Sequence, residues 1–227
     1  MGYEPGMELL FGGNKKIQAT LEQASDSSRS CRTTEAAGCI NWDKQSILRN
    51  VVERAKELGT WIEDISNIVN KVIGNGQEND VFLSSDCMHV VKLNNFALVP
   101  NKATSLEGFI HRLISHNTLF PECAYTIIGF SYNGDMEPCV VMVQPYINAV
   151  RYATDNEIDS FLEHSGYTVD MDDIWFDGQF EISDVKSSNV LVDSNNNLHF
   201  IDAVVNDISV NVAKINKISI KHPERRS

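Results

Sequence analysis

Residues 182–192 read Ile182-Ser183-Asp184-Val185-Lys186-Ser187-Ser188-Asn189-Val190-Leu191-Val192, and Phe200-Ile201-Asp202 follows shortly after. A polar loop gives way to a β-rich run, Asn189 to Val192. That run returns as Leu198 to Ile201 across the turn Asp193-Ser194-Asn195-Asn196-Asn197. Phosphoryl transfer from a nucleotide needs a carboxylate near the attacking hydroxyl and oxygen ligands that hold magnesium against the phosphates. Asp184 offers the first function, and Asn189 with Asp202 offers the second. The hairpin brings Asp202 back beside Asn189, and Lys186 stands where it can meet the transferring phosphoryl group. Asp and Asn are also common turn residues, so the loop read alone leaves a purely structural turn open.

Upstream features tip the balance. Gly74-Asn75-Gly76 follows the short strand Val72-Ile73 and precedes Val81-Phe82-Leu83. A backbone free of side chains there can close over phosphates, although Gly-x-Gly also makes a plain tight turn. Ser84 to Cys87 reads as a hairpin turn, and His89-Val90-Val91-Lys92-Leu93 as the return strand. Lys92 is then either a solvated edge residue or a cation reaching inward. Leu106, Phe109, Ile110 and Leu113 share one helical face. Two strands follow, Tyr125 to Tyr132 and Cys139 to Tyr146, joined by Asn133-Gly134-Asp135, a strong hairpin signal. Thr154 to His164 is a short helix capped by Thr154 or Asp155. The order (glycines, strand lysine, helix with a carboxylate, two strands, Asp-x-Lys-x-x-Asn, Asp202) is what argues for chemistry. The layout is α+β around an antiparallel sheet.

This series resembles the protein-kinase family. Gly74 to Val81 matches its glycine-rich loop, with Asn79 where a third glycine would stand. Val91-Lys92 looks like the strand lysine, Asp184 to Asn189 like the catalytic loop, and Ile201-Asp202-Ala203 like the metal-binding Asp-Phe-Gly. More narrowly, Ile110 to Phe130, with His116-Asn117 and Leu119-Phe120-Pro121, resembles the kinase domain of polyvalent proteins of phages and conjugative elements. The resemblance spans roughly residues 70 to 206. It implies a minimal kinase-like fold, with an antiparallel N-lobe sheet, one helix and a reduced C-lobe. It implies ATP and Mg²⁺ as cofactors. Gly74, Gly76, Val81, Lys92, Glu107, Gln144 and Tyr146 would line the nucleotide, Glu107 as the lysine's helix partner and Gln144 to Tyr146 near the adenine. Asp184, Lys186 and Lys92 would be catalytic, and Asn189 and Asp202 would hold the metal.

The departures bear on substrate. Ile182-Ser183 replace the His-Arg before the catalytic Asp, and Ala203-Val204 replace Phe-Gly. No Ala-Pro-Glu follows Asp202, and the C-terminal half is short for a helical lobe. The expected activity is transfer to a hydroxyl of a protein, or of the chain itself. The alternatives are a pseudokinase, or nucleotide-binding interaction module, and a small-molecule or toxin-type kinase.

Composition narrows the rest. The chain of 227 residues is 42% hydrophobic and 22% charged, an ordinary globular balance. Its net charge of -12 repels a phosphate backbone, and the one compact basic cluster is Lys221, Arg225 and Arg226, so no nucleic-acid partner is expected. Cys31, Cys39, Cys87, Cys123 and Cys139 form no Cys-x-x-Cys pair, which argues against a zinc ribbon or a disulfide framework. With no long apolar run, neither a signal peptide nor a membrane span is expected, and the location expected is the cytoplasm. Residues 1–42 read as a flexible segment, with a linker from Gln23 to Gly38. Residues 43–70 read as a helical extension, in which Gly59 divides two helices and Thr60 caps the second, and 71–227 as the kinase-like domain. His111 and His116 have poor spacing for a shared metal. Asp170, Asp172, Asp173 and Asp177 lack EF-hand spacing, and Trp61 and Trp175 read as packing residues.

Overall fold

The computed structural model describes residues 3–30, 44–75, 79–96, 106–170 and 173–209. The chain divides into two compact units, residues 1–146 and 147–227.

The first unit is built on an antiparallel sheet of five strands: β1 (Val69–Asn75), β2 (Asn79–Ser84), β3 (His89–Asn94), β4 (Thr126–Tyr132) and β5 (Pro138–Pro145), in the order β1-β2-β3-β5-β4. Strand β5 is apolar on both faces, β3 is apolar on one and carries Lys92 and Asn94 on the other, and both faces are covered. Val91, Leu93, Cys139 and Val141 pack under Ile62, Ile65, Ile68 and Val69. Val140 and Met142 point the other way, into a core shared with four helices. These are α1 (Tyr3–Phe11), α2 (Lys15–Ser30), α3 (Lys44–Leu58) and α4 (Leu106–Leu119).

Two expectations change here. Within residues 1–42, expected to be flexible, 3–11 and 15–30 are helical, and Leu10, Phe11, Ile17, Leu21 and Ala24 are buried in the sheet core. Ile17, Leu21 and Ala24 recur at steps of four and three, a stripe that the Ser-rich end of α2 obscures. The rest of the expected linker, 31–38, lies outside the described residues. The second change is at Gly59, where one helix ends and no second starts at Thr60; only a 3-10 turn, Ile65–Asn67, follows, and Asp64 caps it. Gly59 has φ +70, its N–H donates to Lys56 O, and Thr60 N–H donates to Ala55 O. That is the Schellman termination, which only a residue tolerant of the left-handed region completes cheaply. The chain then runs alongside β4, with Ile62 N–H on Phe130 O and Phe130 N–H on Thr60 O. A Cβ on Gly129 would lie 2.7 Å from Thr60 O, so the close approach requires glycine.

Among the described residues the second unit holds the α-helix α5, a 3-10 turn at Ser187–Asn189 and two small sheets. Helix α5 (Asp155–His164) starts with a reciprocal capping box between Thr154 and Glu157 and buries Ile158 and Leu162. The strands are β6 (Ala149–Tyr152), β7 (Thr168–Val169), β8 (Trp175–Phe176), β9 (Phe180–Ser183), β10 (Val190–Asp193), β11 (Leu198–Phe200) and β12 (Val204–Asp207). They form the ladders β11-β10-β6 and β12-β9-β8-β7. The antiparallel β10–β11 hairpin is the one the sequence implies, with Val190 opposite Phe200. Asp193 ties its turn, accepting from the N–H groups of Asn195 and Asn197 and from the Asn197 amide. Among the described residues no helix is long and apolar enough to cross a membrane.

Candidate functional site

In the first unit the candidate residues lie in one row across the sheet. Gly74 pairs with Val81, Val81 with Lys92, and Lys92 with Met142. Cross-strand partners share a face, so Lys92 points with Met142 to the helix side rather than to an open edge. Its side chain is 3% exposed. Its Nζ lies 3.5 Å from Tyr125 Oη and 5.1 Å from the centre of that ring. An ammonium this deep needs partners to stay charged, and the Tyr125 hydroxyl, to which it donates, is one.

Glu107 stands in the first turn of α4, half-buried. Gln144 is buried on the face of Met142, and its Nε2 donates to Cys123 O at 2.7 Å. Tyr146 follows β5 and is exposed, its N–H donating to Met88 O. Gly76 lies outside the described residues. At Gly74 an added Cβ would meet Val81 only at an ordinary 3.5 Å, so local packing does not demand a glycine there.

In the second unit β9 delivers Asp184 and β12 carries the chain away from Asp202. Ser183 pairs with Val204, so Asp184 and the segment through Asp202 leave the same end of one ladder. Asp184 has φ +57, a backbone region uncommon outside glycine and tolerated by Asp and Asn. Its conformation is held from several sides. The Asn189 amide donates to Asp184 O at 2.8 Å and to its Oδ2 at 3.0 Å, and Lys186 Nζ donates to Oδ1 at 2.8 Å. The main chain closes the loop through Asn189 N–H to Lys186 O, and Ile201 N–H to Asn189 O docks the returning strand. Ser187 Oγ anchors the loop on Ala153 O. The Asp184 carboxylate, with Asp202 adding to it, holds the Lys186 ammonium above its ordinary pKa. Both partners of the Lys186–Asp184 pair are largely exposed, so the pair positions groups more than it stabilises the fold.

The structure therefore gathers Asp184, Lys186, Asn189 and Asp202 at one ladder end, and Gly74, Val81 and Lys92 in one row of the other unit's sheet. A hollow of about 560 Å³ opens beside Asp184, lined by Asp155, Asp159 and Glu163 of α5 with Asp173 and Trp175. Carboxylates dominate that lining, so it disfavours an anionic molecule. The spacing of the α5 acids at i, i+4 and i+8 was the available sequence signal. Tyr125, a partner of Lys92, had no signal at all, because a strand-start tyrosine distant in sequence shows nothing of what it faces.

A family model described as "Serine/Threonine/Tyrosine Kinase found in polyvalent proteins" matches residues 43–207. The chain belongs to that family. The kinase match starts at residue 43 and so takes in α3 as well as the strands. It also agrees with the α+β layout. No curated protein matches the chain.

Proposed function

We propose that the chain is an ATP- and magnesium-dependent phosphotransferase acting on a hydroxyl, of a protein substrate or of itself. The observation that carries this reading is the clasp of Asn189 on Asp184, with Asp202 brought alongside by the β10–β11 hairpin. Because the Asn189 Nδ2 is spent on Asp184, its Oδ1, which Ser188 Oγ approaches at 3.3 Å, is the atom left to meet a metal. An amide oxygen and the Asp202 carboxylate form a hard oxygen donor set, which suits magnesium. ATP held with magnesium supplies the phosphoryl group. Asp184 orients the acceptor hydroxyl and takes its proton, Lys186 holds the carboxylate in place, and Lys92 orients phosphate.

A second reading, nucleotide binding without transfer, is favoured by one feature. Val204 stands where a flexible glycine would follow the metal ligand, and it is paired in the β9–β12 ladder. The test is incubation with γ-labelled ATP and magnesium, scoring label on the chain itself, on a generic protein acceptor and as released phosphate. Transfer is expected. ATP should also raise the melting temperature only with magnesium, and Asp202→Ala should abolish that rise. An unchanged rise in Asp202→Ala overturns the metal assignment, and binding without any transfer favours the second reading.

A further inference from the structure

The hollow beside Asp184 is unbalanced in charge. Asp155, Asp159, Glu163, Asp173 and Asp184 line it against the single cation Lys186. Lys186 is paired with Asp184, and among the described residues no cation pairs with Asp155, Asp159, Glu163 or Asp173. Asp155, Asp159 and Glu163 recur at steps of four along α5, exposed, in a row about 12 Å long at 1.5 Å per residue. Like charges at that spacing repel, so the row gains from a cation laid along it.

The chain carries such a cation in its own sequence. Residues 210–227, outside the described residues, hold Lys214, Lys217, Lys221, Arg225 and Arg226 against one acid, Glu224, in a chain of net charge -12. Within them Lys217-Ile218-Ser219-Ile220-Lys221 sets a hydroxyl midway between two ammonium groups. Alternate residues of an extended segment share a side, so that pattern sorts Lys217, Ser219 and Lys221 to one side and Ile218 and Ile220 to the other. Four residues of extended chain span about 13 Å, close to the length of the α5 row. Reach is ample. β12 ends at Asp207, opposite Phe180 at the start of β9, the strand that leads to Asp184. That strand is about 13 Å long, whereas the chain from Asp207 to Ser219 can extend about 40 Å.

We propose that residues 217–221 dock along α5 in the hollow of the same chain, Lys217 and Lys221 on its carboxylates, and that Ser219 is the hydroxyl phosphorylated. The assignment of Ser219 rests on the reading of Asp184 as the base. In the step, Ser219 Oγ bonds to the γ-phosphorus of ATP as the bond to the oxygen bridging the β-phosphate breaks. ADP leaves with that electron pair, and the hydroxyl proton passes to the Asp184 carboxylate.

Two measurements on the full chain test this. Carbodiimide coupling joins carboxylates to amines in contact, and peptide mapping of the monomer should find Lys217 and Lys221 joined to Asp155, Asp159 or Glu163. Coupling of those lysines chiefly to carboxylates elsewhere overturns the docking. With γ-labelled ATP and magnesium, Ser219 should be the main labelled residue, at a rate per chain independent of protein concentration. A rate per chain that rises with concentration overturns docking within one chain. Asp159→Asn combined with Glu163→Gln removes two exposed ion pairs, so it should slow that labelling about 2- to 30-fold and make it less sensitive to salt. A rate unmoved by the double variant overturns the role of the α5 row. Label on a generic acceptor or on other residues, with Ser219 bare, overturns the assignment of Ser219 and leaves the phosphotransferase reading standing. If the parent transfers nothing, that reading and the assignment of Ser219 fall together, while the coupling map still decides whether the segment docks.

Discussion

The side-chain amide of Asn189 donates to both the main-chain carbonyl and the carboxylate of Asp184, at 2.8 Å and 3.0 Å. One residue thus fixes both the backbone and the side chain of the proposed base, in a left-handed conformation that costs on the order of 1–3 kcal/mol elsewhere. A purely structural turn would need only the backbone half of that clasp.

Asp184→Asn separates turn from chemistry. Asparagine tolerates the same φ and can occupy the same turn, so the fold should keep its melting temperature. It cannot accept the hydroxyl proton, so transfer should fall by about 10²–10⁴-fold. ATP affinity should stay near that of the parent, because the magnesium ligands assigned are Asn189 and Asp202. Single-turnover transfer and calorimetry on the same preparation measure both quantities. Full activity in the variant would return Asp184 to the role of an ordinary turn residue.

Asn117 should prove a stability hot spot out of proportion to its size. In Asn117→Ala the N–H and carbonyl of Tyr125 lose their partners in a buried setting. Each such group costs about 1–3 kcal/mol, so a loss of roughly 2–6 kcal/mol is expected. Asn117→Asp keeps the acceptor for Tyr125 N–H, and regains a donor for the carbonyl only when its carboxyl is protonated. Urea midpoints for the two variants at pH 5 and pH 8 measure this, with the Asp variant the more stable of its two conditions at pH 5.

Most of the β framework was legible because its signals are local. The β-rich run His89 to Leu93, the Asn133-Gly134 turn and the Thr154 cap each sit within a few residues of what they specify. The Asp184–Asn189–Asp202 grouping was legible for the same reason, since a short hairpin joins it. What escaped reading depends on contacts distant in sequence. Helices α1 and α2 owe their burial to α4 and the sheet. The short strands β7, β8 and β12 have too few residues for a period to show. Thr60 looked like a helix cap, but its carbonyl accepts from Phe130 N–H, far along the chain. The Tyr125 contact belongs with these.

Gly6 tests the packing of the N-terminal helix. An added Cβ there would lie 2.5 Å from both Ile114 O and Thr118 Oγ1, and the first of these is helix backbone that cannot swing aside. Asn117 Nδ2 also reaches Gly6 O at 3.4 Å, so α1 and α4 meet closely at this point. Gly6→Ala should therefore destabilise by about 1–3 kcal/mol, although alanine is the better helix former. A substitution on the exposed side of the same helix, Met7→Ala, should change stability little. Equal or greater stability of Gly6→Ala in a urea titration would mean that α1 does not dock here in solution.

Glu157 should give α5 a distinct acid dependence. Its carboxylate accepts from both guanidinium nitrogens of Arg151, at 2.7 Å and 2.8 Å, and from Thr154 N–H at 2.9 Å. The Arg151 guanidinium, with the Thr154 bonds behind it, lowers the pKa of the group to about 2 from an ordinary 4.5. The folded chain therefore binds fewer protons at this site than the unfolded chain does between those two values. A depressed folded-state pKa contributes stability that is complete above the unfolded value and is lost as pH falls from about 4.5 toward 2. The substitution Glu157→Gln retains a capping amide but leaves no charge to lose. The melting temperature of the variant should lie below that of the parent at pH 7, and the gap should close between pH 5 and pH 2. The site is exposed, so the gap should also shrink with added salt. A gap independent of both pH and salt would show that the Arg151 pair contributes nothing and that the cap alone starts the helix.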